Sequence, residues 1–439
     1  MSATATGGGP DPRALVDYAG SLDCVHCGLC LNSCPTYRLT GAESSSPRGR
    51  VHLMRSVAEG ELPPDAGYAE ELDFCLLCRH CESVCPSGVR FGALMEHARS
   101  ALEPARRRGL GSRLARFVGF RVLLPRPALL SLAATLGRFT QRTGLLRAVA
   151  RLLGARGRSL AAMPAIPPGS ERRRPPPSTP AIGAPHGAVL VLEGCVMPEL
   201  HGRVQRSTAR VLAHAGYEVR RCDERFCCGS LHAHNGDLAG ARALGRRAIE
   251  AYERAGADLP VVVDSAGCGA HMKEWGQLFA GDEAWDARAR ACAARVVDFS
   301  EALSREPARA RLAQALARGP GAPGLGTVAY DDPCHLCHAQ GIRREPRALL
   351  DLVPGIARVE MRDAEACCGS AGIYALARPE DSAAVLAPKL ESLRASGART
   401  LVTANPGCHV QWESGVAREG LAVRVVHLAE ALDAALPRG

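Results

Sequence analysis

A chain of 439 residues, 46% hydrophobic and 4% aromatic, is too long for one ordinary core, so its bulk numbers predict two to four globular domains and exclude wholesale disorder. The net charge of +9 does not mark a nucleic-acid binder: residues 101–180 hold 16 Arg, no Lys and two acidic residues, Glu103 and Glu171, a local balance of +14 that leaves −5 for the rest. Only two lysines, Lys273 and Lys389, stand against 52 Arg, a bias that points to a GC-rich coding sequence rather than a dedicated phosphate-binding face.

The chain opens "MSATATGGGPDPRALVDYAG", with no basic stretch followed by an apolar one, so no signal peptide is read. No apolar run reaches membrane-spanning length. The nearest, "FVGFRVLLPRPALLSLAATLG", is interrupted by Arg121, Pro125, Arg126 and Pro127. The expectation is a cytoplasmic protein, in which 19 cysteines mean metal or redox chemistry rather than disulfides.

Two runs come first, "CVHCGLCLNSCP" (Cys24, Cys27, Cys30, Cys34) and "CLLCRHCESVCP" (Cys75, Cys78, Cys81, Cys85), both C-x2-C-x2-C-x3-C-P and 51 residues apart. They match the bacterial ferredoxin pattern, in which three close cysteines wrap one cubane and the fourth ligates the other cluster. Carried over, that pattern implies one [4Fe–4S] cluster on Cys24, Cys27, Cys30 and Cys85, and a second on Cys75, Cys78, Cys81 and Cys34. A pair of zinc sites is the alternative, but zinc ribbons use two C-x2-C pairs, not two identical runs of four with a trailing Pro. The long spacing between the runs resembles the helical ferredoxin module of dehydrogenase iron–sulfur subunits. "SPRGR" (Ser46–Arg50) lies in that spacer and reads either as packing against a cluster or as a turn and helix start.

Residues 101–160 carry Leu and Val at helical spacing with Arg opposite, beginning with Arg106, Arg107 and Arg108. Such helices either lie on an anionic membrane surface or pack on a neighbouring domain. The stretch "PAIPPGSERRRPPPSTPAIGAP" reads as a Pro-rich tether.

Most of 187–439 is a second repeat. Cys195, Cys227/Cys228 and Cys268 recur as Cys334, Cys367/Cys368 and Cys408, with offsets of 139 or 140 residues. Each copy alternates strand and helix patterns. "GAVLVLEG", "YEVRRC" and "LPVVVDSAG" read as strands in the first copy, "GTVAYDDPC" and "RTLVTANPGC" in the second, with "HGRVQRSTARVLAHAG", "NGDLAGARALGRRAIEAYERAG" and "PEDSAAVLAPKLESLRASG" as helices. The cysteines fall where strands end, which in open α/β sheets is where sites assemble. Adjacent cysteines suit neither a disulfide nor a usual zinc site.

The spacing of Cys, Cys-Cys-Gly and Cys resembles the CCG domain of the heterodisulfide reductases, where paired sulfurs serve two irons of one cluster. Gly229 and Gly369 would let the backbone approach such a cluster. Two ferredoxin runs followed by two CCG modules resemble the glycolate oxidase iron–sulfur subunits, on "CVHCGLCLNSCPTY", "SPRGR", "CCGSAGIY", "DPCHL" with His338 and Gln340, and "TANPGC" with Gln411. The iron–sulfur subunit of anaerobic glycerol-3-phosphate dehydrogenase and lactate-utilisation proteins share the same parts. The chain departs from the five-cysteine pattern at His271 and Gln411, where the last C-x2-C would end. Each module therefore offers four cysteines: Cys195, Cys227, Cys228 and Cys268, then Cys334, Cys367, Cys368 and Cys408. A four-iron cluster in each, or a degenerate site without one, are both consistent with that. His335 and His409 are candidates for ligation or for a hydrogen bond behind a ligand. Cys337 is an extra thiol, and Cys222 and Cys292 read as buried small hydrophobes.

The expected fold class is α+β multidomain. It comprises a helical ferredoxin-like domain over 1–100, basic amphipathic helices and Pro-rich linker over 101–186, and two tandem α/β CCG domains with mostly parallel sheets over 187–310 and 326–439. No flavin or nicotinamide fingerprint is present, so the resemblance implies hydride chemistry, with FAD, on a partner dehydrogenase subunit. It also implies an iron–sulfur electron-transfer role in oxidising glycolate (also D-lactate) to glyoxylate, with membrane quinone as acceptor and peripheral attachment to the membrane. The competing readings are the electron-transfer subunit of an anaerobic glycerol-3-phosphate dehydrogenase or of lactate utilisation, and a self-contained heterodisulfide or quinone reductase.

Overall fold

The computed structural model describes residues 17–106, 108–154 and 165–438. Residues 1–16 of the segment in which a leader was sought, and Arg107, lie outside these residues. The chain divides into two compact units, residues 1–107 with 232–238, and residues 108–231 with 239–439.

The first unit is helical. Its main helices are Pro47–Ala58, Ala66–Phe74 and Phe91–Leu102. Their apolar stripes, Val51, Met54, Leu72, Leu94, Met95 and Ala98, meet in one fully buried cluster. The first two helix starts are written locally. Ser46 accepts the Gly49 N–H and Pro47 occupies the first turn, while Asp65 accepts the Tyr68 N–H. Arg99 donates to the carbonyls of Leu72 and Cys75 (2.6 Å each), fixing the backbone where the second cysteine run begins.

The second unit contains two sheets. The first holds β1 (Ser178–Thr179), β2 (Gly187–Val191), β3 (Tyr217–Arg221), β4 (Val261–Val263) and β5 (Val296–Asp298), in the order β1-β3-β2-β4-β5. The second holds β6 (Thr327–Tyr330), β7 (Ala357–Val359), β8 (Thr400–Thr403) and β9 (Arg424–His427), in the order β7-β6-β8-β9. The order 3-2-4-5 in one is 7-6-8-9 in the other, and every one of these pairings is parallel. The repeat in the sequence is thus a repeat of topology. β1 is the exception, an antiparallel edge strand contributed by the Pro-rich stretch. That stretch is tied down as well as extended: Arg172 pairs with Glu199 (2.9 Å) and Arg174 donates to Glu193 (2.8 Å), both carboxylates being buried.

The two sheets are not independent. One apolar cluster takes Val189, Val204, Val211 and Leu212 from the first copy and Val328, Tyr330, Val402 and Leu432 from the second. The copies are stitched by Ala266 N–H to the Ala404 carbonyl and Gly267 N–H to Asn405 Oδ1 (both 3.1 Å). In each sheet the chain reverses its winding between β2 and β4, or between β6 and β8. Cys195, Cys268, Cys334 and Cys408 follow the carboxyl ends of those strands, and the paired cysteines follow β3 and β7.

Candidate metal centres

The N-terminal runs fold as two copies of one loop. His26 (φ 54°) and Gly28 (φ 83°) in the first, and Leu77 (φ 53°) and Arg79 (φ 63°) in the second, are left-handed at the same 51-residue offset. Left-handed backbone on non-glycine residues costs about 1 kcal/mol or more and persists only where the surroundings impose it. Each loop therefore reverses tightly around its second cysteine, Cys27 or Cys78.

Cys34, Cys75, Cys78 and Cys81 are all buried and line a single cavity, walled also by Leu76, Leu77 and Phe91. Cys34 comes from the first run and the other three from the second. The Leu77 N–H points at Cys75 Sγ (3.3 Å). Burial, and then Cys75 beside it, pushes the Cys81 thiol well above its ordinary value, so ionising it here requires a compensating cation. The other four sulfurs are more open: Cys27 is exposed, and Cys24, Cys30 and Cys85 are half-buried against the core of the unit.

"SPRGR" starts a helix and also contributes to the wall of this cavity. Ser46 and Pro47 start the helix, while Pro47 and Arg50 line the cavity. Arg50 is 0% exposed. Its guanidinium donates to the Ser45 carbonyl (2.7 Å), the Thr36 hydroxyl (3.0 Å) and the Glu71 carbonyl (2.7 Å). Thr36 Oγ1 in turn lies 3.2 Å from Cys34 Sγ.

In the first CCG copy the four free thiols form a hydrogen-bonded chain, Cys195 to Cys227, Cys227 to Cys228 and Cys228 to Cys268. These contacts, together with burial, hold the Cys195 and Cys228 thiols well above their usual range. In the second copy the Cys368 thiol is hydrogen-bonded with those of Cys367 and Cys408, and Cys334 Sγ lies 3.5 Å from Nδ1 of His335. His409 stacks on His201, ring centroids 4.3 Å apart, with its Nε2 3.4 Å from Glu413. Cys222 and Cys292 are buried in the apolar core of the first copy.

The glycines after the paired cysteines stand against a neighbouring helix. Gly229 (φ +94°) and Gly369 (φ +85°) are left-handed, and a Cβ would meet the Ala241 carbonyl at 3.0 Å and the Ser382 carbonyl at 2.5 Å. The close approach is to the next helix, with His271 Nε2 and Gln411 Nε2 completing the contact at 3.3 and 3.4 Å. His271 and Gln411, standing where a fifth cysteine would be, thus fill the space over those glycines.

One buried pair was not legible as part of a site. Lys389 Nζ donates to Asp331 Oδ1 (2.5 Å) and to the carbonyls of Ala364 and Ala366 (2.7 Å each), just before Cys367. Burial alone would lower its pKa, but Asp331 holds it above the ordinary lysine value. Lys389 being one of two lysines among 52 arginines was the available signal.

Among the described residues no three His, Cys, Asp or Glu side chains converge closely enough to hold a single metal ion. The donor chemistry is instead thiols in sets of four, around an apolar cavity and at strand ends, which suits iron–sulfur clusters.

A two-loop ferredoxin unit joined to a repeated cysteine-bearing α/β fold defines an iron–sulfur protein of the dicluster-plus-CCG class. Residues 20–89 match the 4Fe-4S dicluster domain family, and residues 189–273 and 328–413 each match the cysteine-rich CCG domain. The chain is 37% identical over 429 residues to the probable glycolate oxidase iron-sulfur subunit of Bacillus subtilis, covering 96% of this chain and 95% of the relative. It is 35% identical over 394 residues to the glycolate oxidase iron-sulfur subunit of Escherichia coli, covering 89% of each. A subunit of the fumarate reductase (CoM/CoB) of Methanothermobacter marburgensis is 27% identical over 437 residues, 97% of this chain and 74% of the relative. The chain belongs to the glycolate oxidase iron–sulfur subunit family and carries [4Fe–4S] clusters.

Proposed function

We propose that this chain is the electron-carrying subunit of a flavin-linked 2-hydroxy-acid dehydrogenase, with glycolate, and also D-lactate, oxidised on an FAD-binding partner and membrane quinone as acceptor. Bound clusters would supply one-electron transfer between the two-electron oxidation on the partner and that acceptor. The reading is carried by one observation, the cavity that gathers Cys34 with Cys75, Cys78 and Cys81. These four would hold one [4Fe–4S] cluster, and Cys24, Cys27, Cys30 and Cys85 the other. Leu76, Leu77 and Phe91 would keep water from the first of these, and the Leu77 N–H would bond its Cys75 sulfur. The exposed Cys27 loop would face the electron donor, because tunnelling needs close approach and this set is the more open of the two. Cys195, Cys227, Cys228 and Cys268, and Cys334, Cys367, Cys368 and Cys408, would hold further clusters. No helix among the described residues is long and apolar enough to cross a membrane; attachment would be peripheral.

The test is Cys78→Ser in the complex purified anaerobically with its flavoprotein partner. Loss of one cubane's worth of iron and of its EPR signal, with glycolate-to-quinone turnover abolished and flavin reduction by glycolate retained, is the expected result. Undiminished quinone reduction would refute the assignment.

A further inference from the structure

The segment 108–154 supplies no cysteine to any of the four thiol sets. It carries nine Arg and no acidic residue. It also exposes 12 of the 20 exposed large hydrophobic side chains among the described residues, Leu152 at 87%. Its longest helix, Pro127–Arg142, has two apolar faces. Leu130 and Ala134 point inward, Ala134 being buried, and a Cβ on Gly137 would meet Ile166 at 2.9 Å. Leu129, Leu132, Leu136 and Phe139 fall at helical spacing on the opposite side and are exposed. The following helix, Leu145–Leu152, continues this with Leu145, Val149 and Leu152 between the exposed Arg147 and Arg151. A helix apolar on two opposite faces needs a second apolar environment besides the domain it packs on.

The inward side is anchored. Glu199, buried in the first CCG copy, takes hydrogen bonds from Ser131, Arg172 (2.9 Å) and Arg225 (3.0 Å). Leu124 and Leu130 pack directly on Cys195, Cys227 and Leu244. The helices therefore form a fixed cover over the first cysteine-rich site, and the outward apolar stripe lies one helix away from its sulfurs, about 10 Å.

We propose that the helices within 108–154 dock the protein on an anionic lipid surface, with Leu129, Leu132, Leu136 and Phe139 in the interfacial layer and the arginines at the headgroups. The occupant is chosen by charge: a uniformly positive segment without one acidic residue complements a continuous negative leaflet, whereas a protein partner would be matched by charges of both signs. Arg106, at the start of the basic stretch, is not part of this face, since it is paired with Asp73 and Glu103 in the helical unit. The docking seats the first CCG copy, rather than the second, next to the bilayer. It deepens the membrane-delivery part of the proposed function and rests on that reading only for its purpose.

The experiment is flotation of the full, iron-loaded chain with phosphatidylcholine vesicles containing about a third phosphatidylglycerol, and with phosphatidylcholine alone. The chain is expected to float with the anionic vesicles and not with the neutral ones. Raising salt from about 0.05 M to 0.5 M should weaken binding. Arg142→Glu/Arg147→Glu/Arg151→Glu should lower binding more than tenfold, since each arginine at the leaflet contributes about fivefold. Leu132→Ser/Leu136→Ser/Phe139→Ser should lower it with both vesicle charge and iron content unchanged. A wild-type chain that stays in the bottom fraction, or a charge-reversed variant that floats equally, overturns the proposal. So does flotation by the chain alone that is lost when the flavoprotein partner covers this face. Flotation requires no turnover: an iron-loaded chain that accepts electrons in solution but does not float removes only the lipid docking, and one that floats without accepting electrons removes only the electron-transfer reading.

Discussion

Replacing Lys389 by Met should be among the most damaging single changes in the second CCG copy. Its ammonium is 2% exposed and spends all three N–H groups on Asp331 Oδ1 and the carbonyls of Ala364 and Ala366. Without it the Asp331 carboxylate stays buried with only the Thr403 hydroxyl (2.9 Å) as a partner. Removing one member of a buried ion pair costs about 3–5 kcal/mol, mostly because the remaining charge is uncompensated. The protein itself contains the apolar alternative. Three residues before Cys195, where the second copy has Asp331 before Cys334, stands Leu192; nineteen residues before Cys268, where the second copy has Lys389 before Cys408, stands Ile249. Both are in the core of the first copy. Asp331→Leu/Lys389→Ile should therefore recover at least about 2 kcal/mol of the single-mutant loss, leaving about 1 kcal/mol for the Ala366 carbonyl that loses its donor. Anaerobic urea unfolding of the full chain reads this through Trp412, whose ring lies 5.6 Å from Lys389 Nζ, while Trp275 and Trp285 report the first copy. A Lys389→Met cost below about 1 kcal/mol, or a double variant as unstable as the sum of its parts, would refute the reasoning.

Arg50→Leu strands the Glu71 carbonyl, while the Ser45 carbonyl keeps the Thr36 hydroxyl as a donor (2.7 Å), and should destabilise the helical unit by about 2 kcal/mol, with faster iron loss to a chelator as the readout; unchanged iron retention contradicts it. Gly369→Ala places a Cβ 2.5 Å from the Ser382 carbonyl at φ +85° and should cost about 2–4 kcal/mol, whereas Gly341→Ala, left-handed at φ +71° but facing open space, should cost about 1 kcal/mol; equal shifts in Tm would remove the steric argument. Burial pushes the Asp264 carboxyl up to about 7, so the folded state holds its proton across a range where the unfolded chain has lost it, and this group's contribution to stability falls as pH rises from about 4 to 7. Asp264→Asn, which keeps an acceptor for Thr208, should gain stability over wild type by about 1–3 kcal/mol at pH 8 and little at pH 5; a pH-independent difference would show that Asp264 does not titrate in this range.

Much of the architecture is written locally. Ser46-Pro47 and Asp65 mark helix starts, short Val-rich runs mark strands, and the constant spacing of the cysteines marks both repeats, because capping, periodicity and loop closure act over a few residues. The sequence by itself thereby determined the iron–sulfur class, the helical and α/β division and the duplicated sheet. What it could not carry were contacts between residues far apart in the chain. That Cys34 shares a cavity with Cys75, Cys78 and Cys81 depends on how the helices of the first unit pack. That Gly229 and Gly369 yield to a neighbouring helix depends on backbone more than ten residues away. The Pro-rich stretch becomes an edge strand because Glu193 and Glu199, buried elsewhere, need its arginines. Leu129, Leu132, Leu136 and Phe139 share the apolar pattern of Leu130 and Ala134, and only the tertiary structure decided which of the two faces is covered, because burial belongs to the packed molecule and not to the helix.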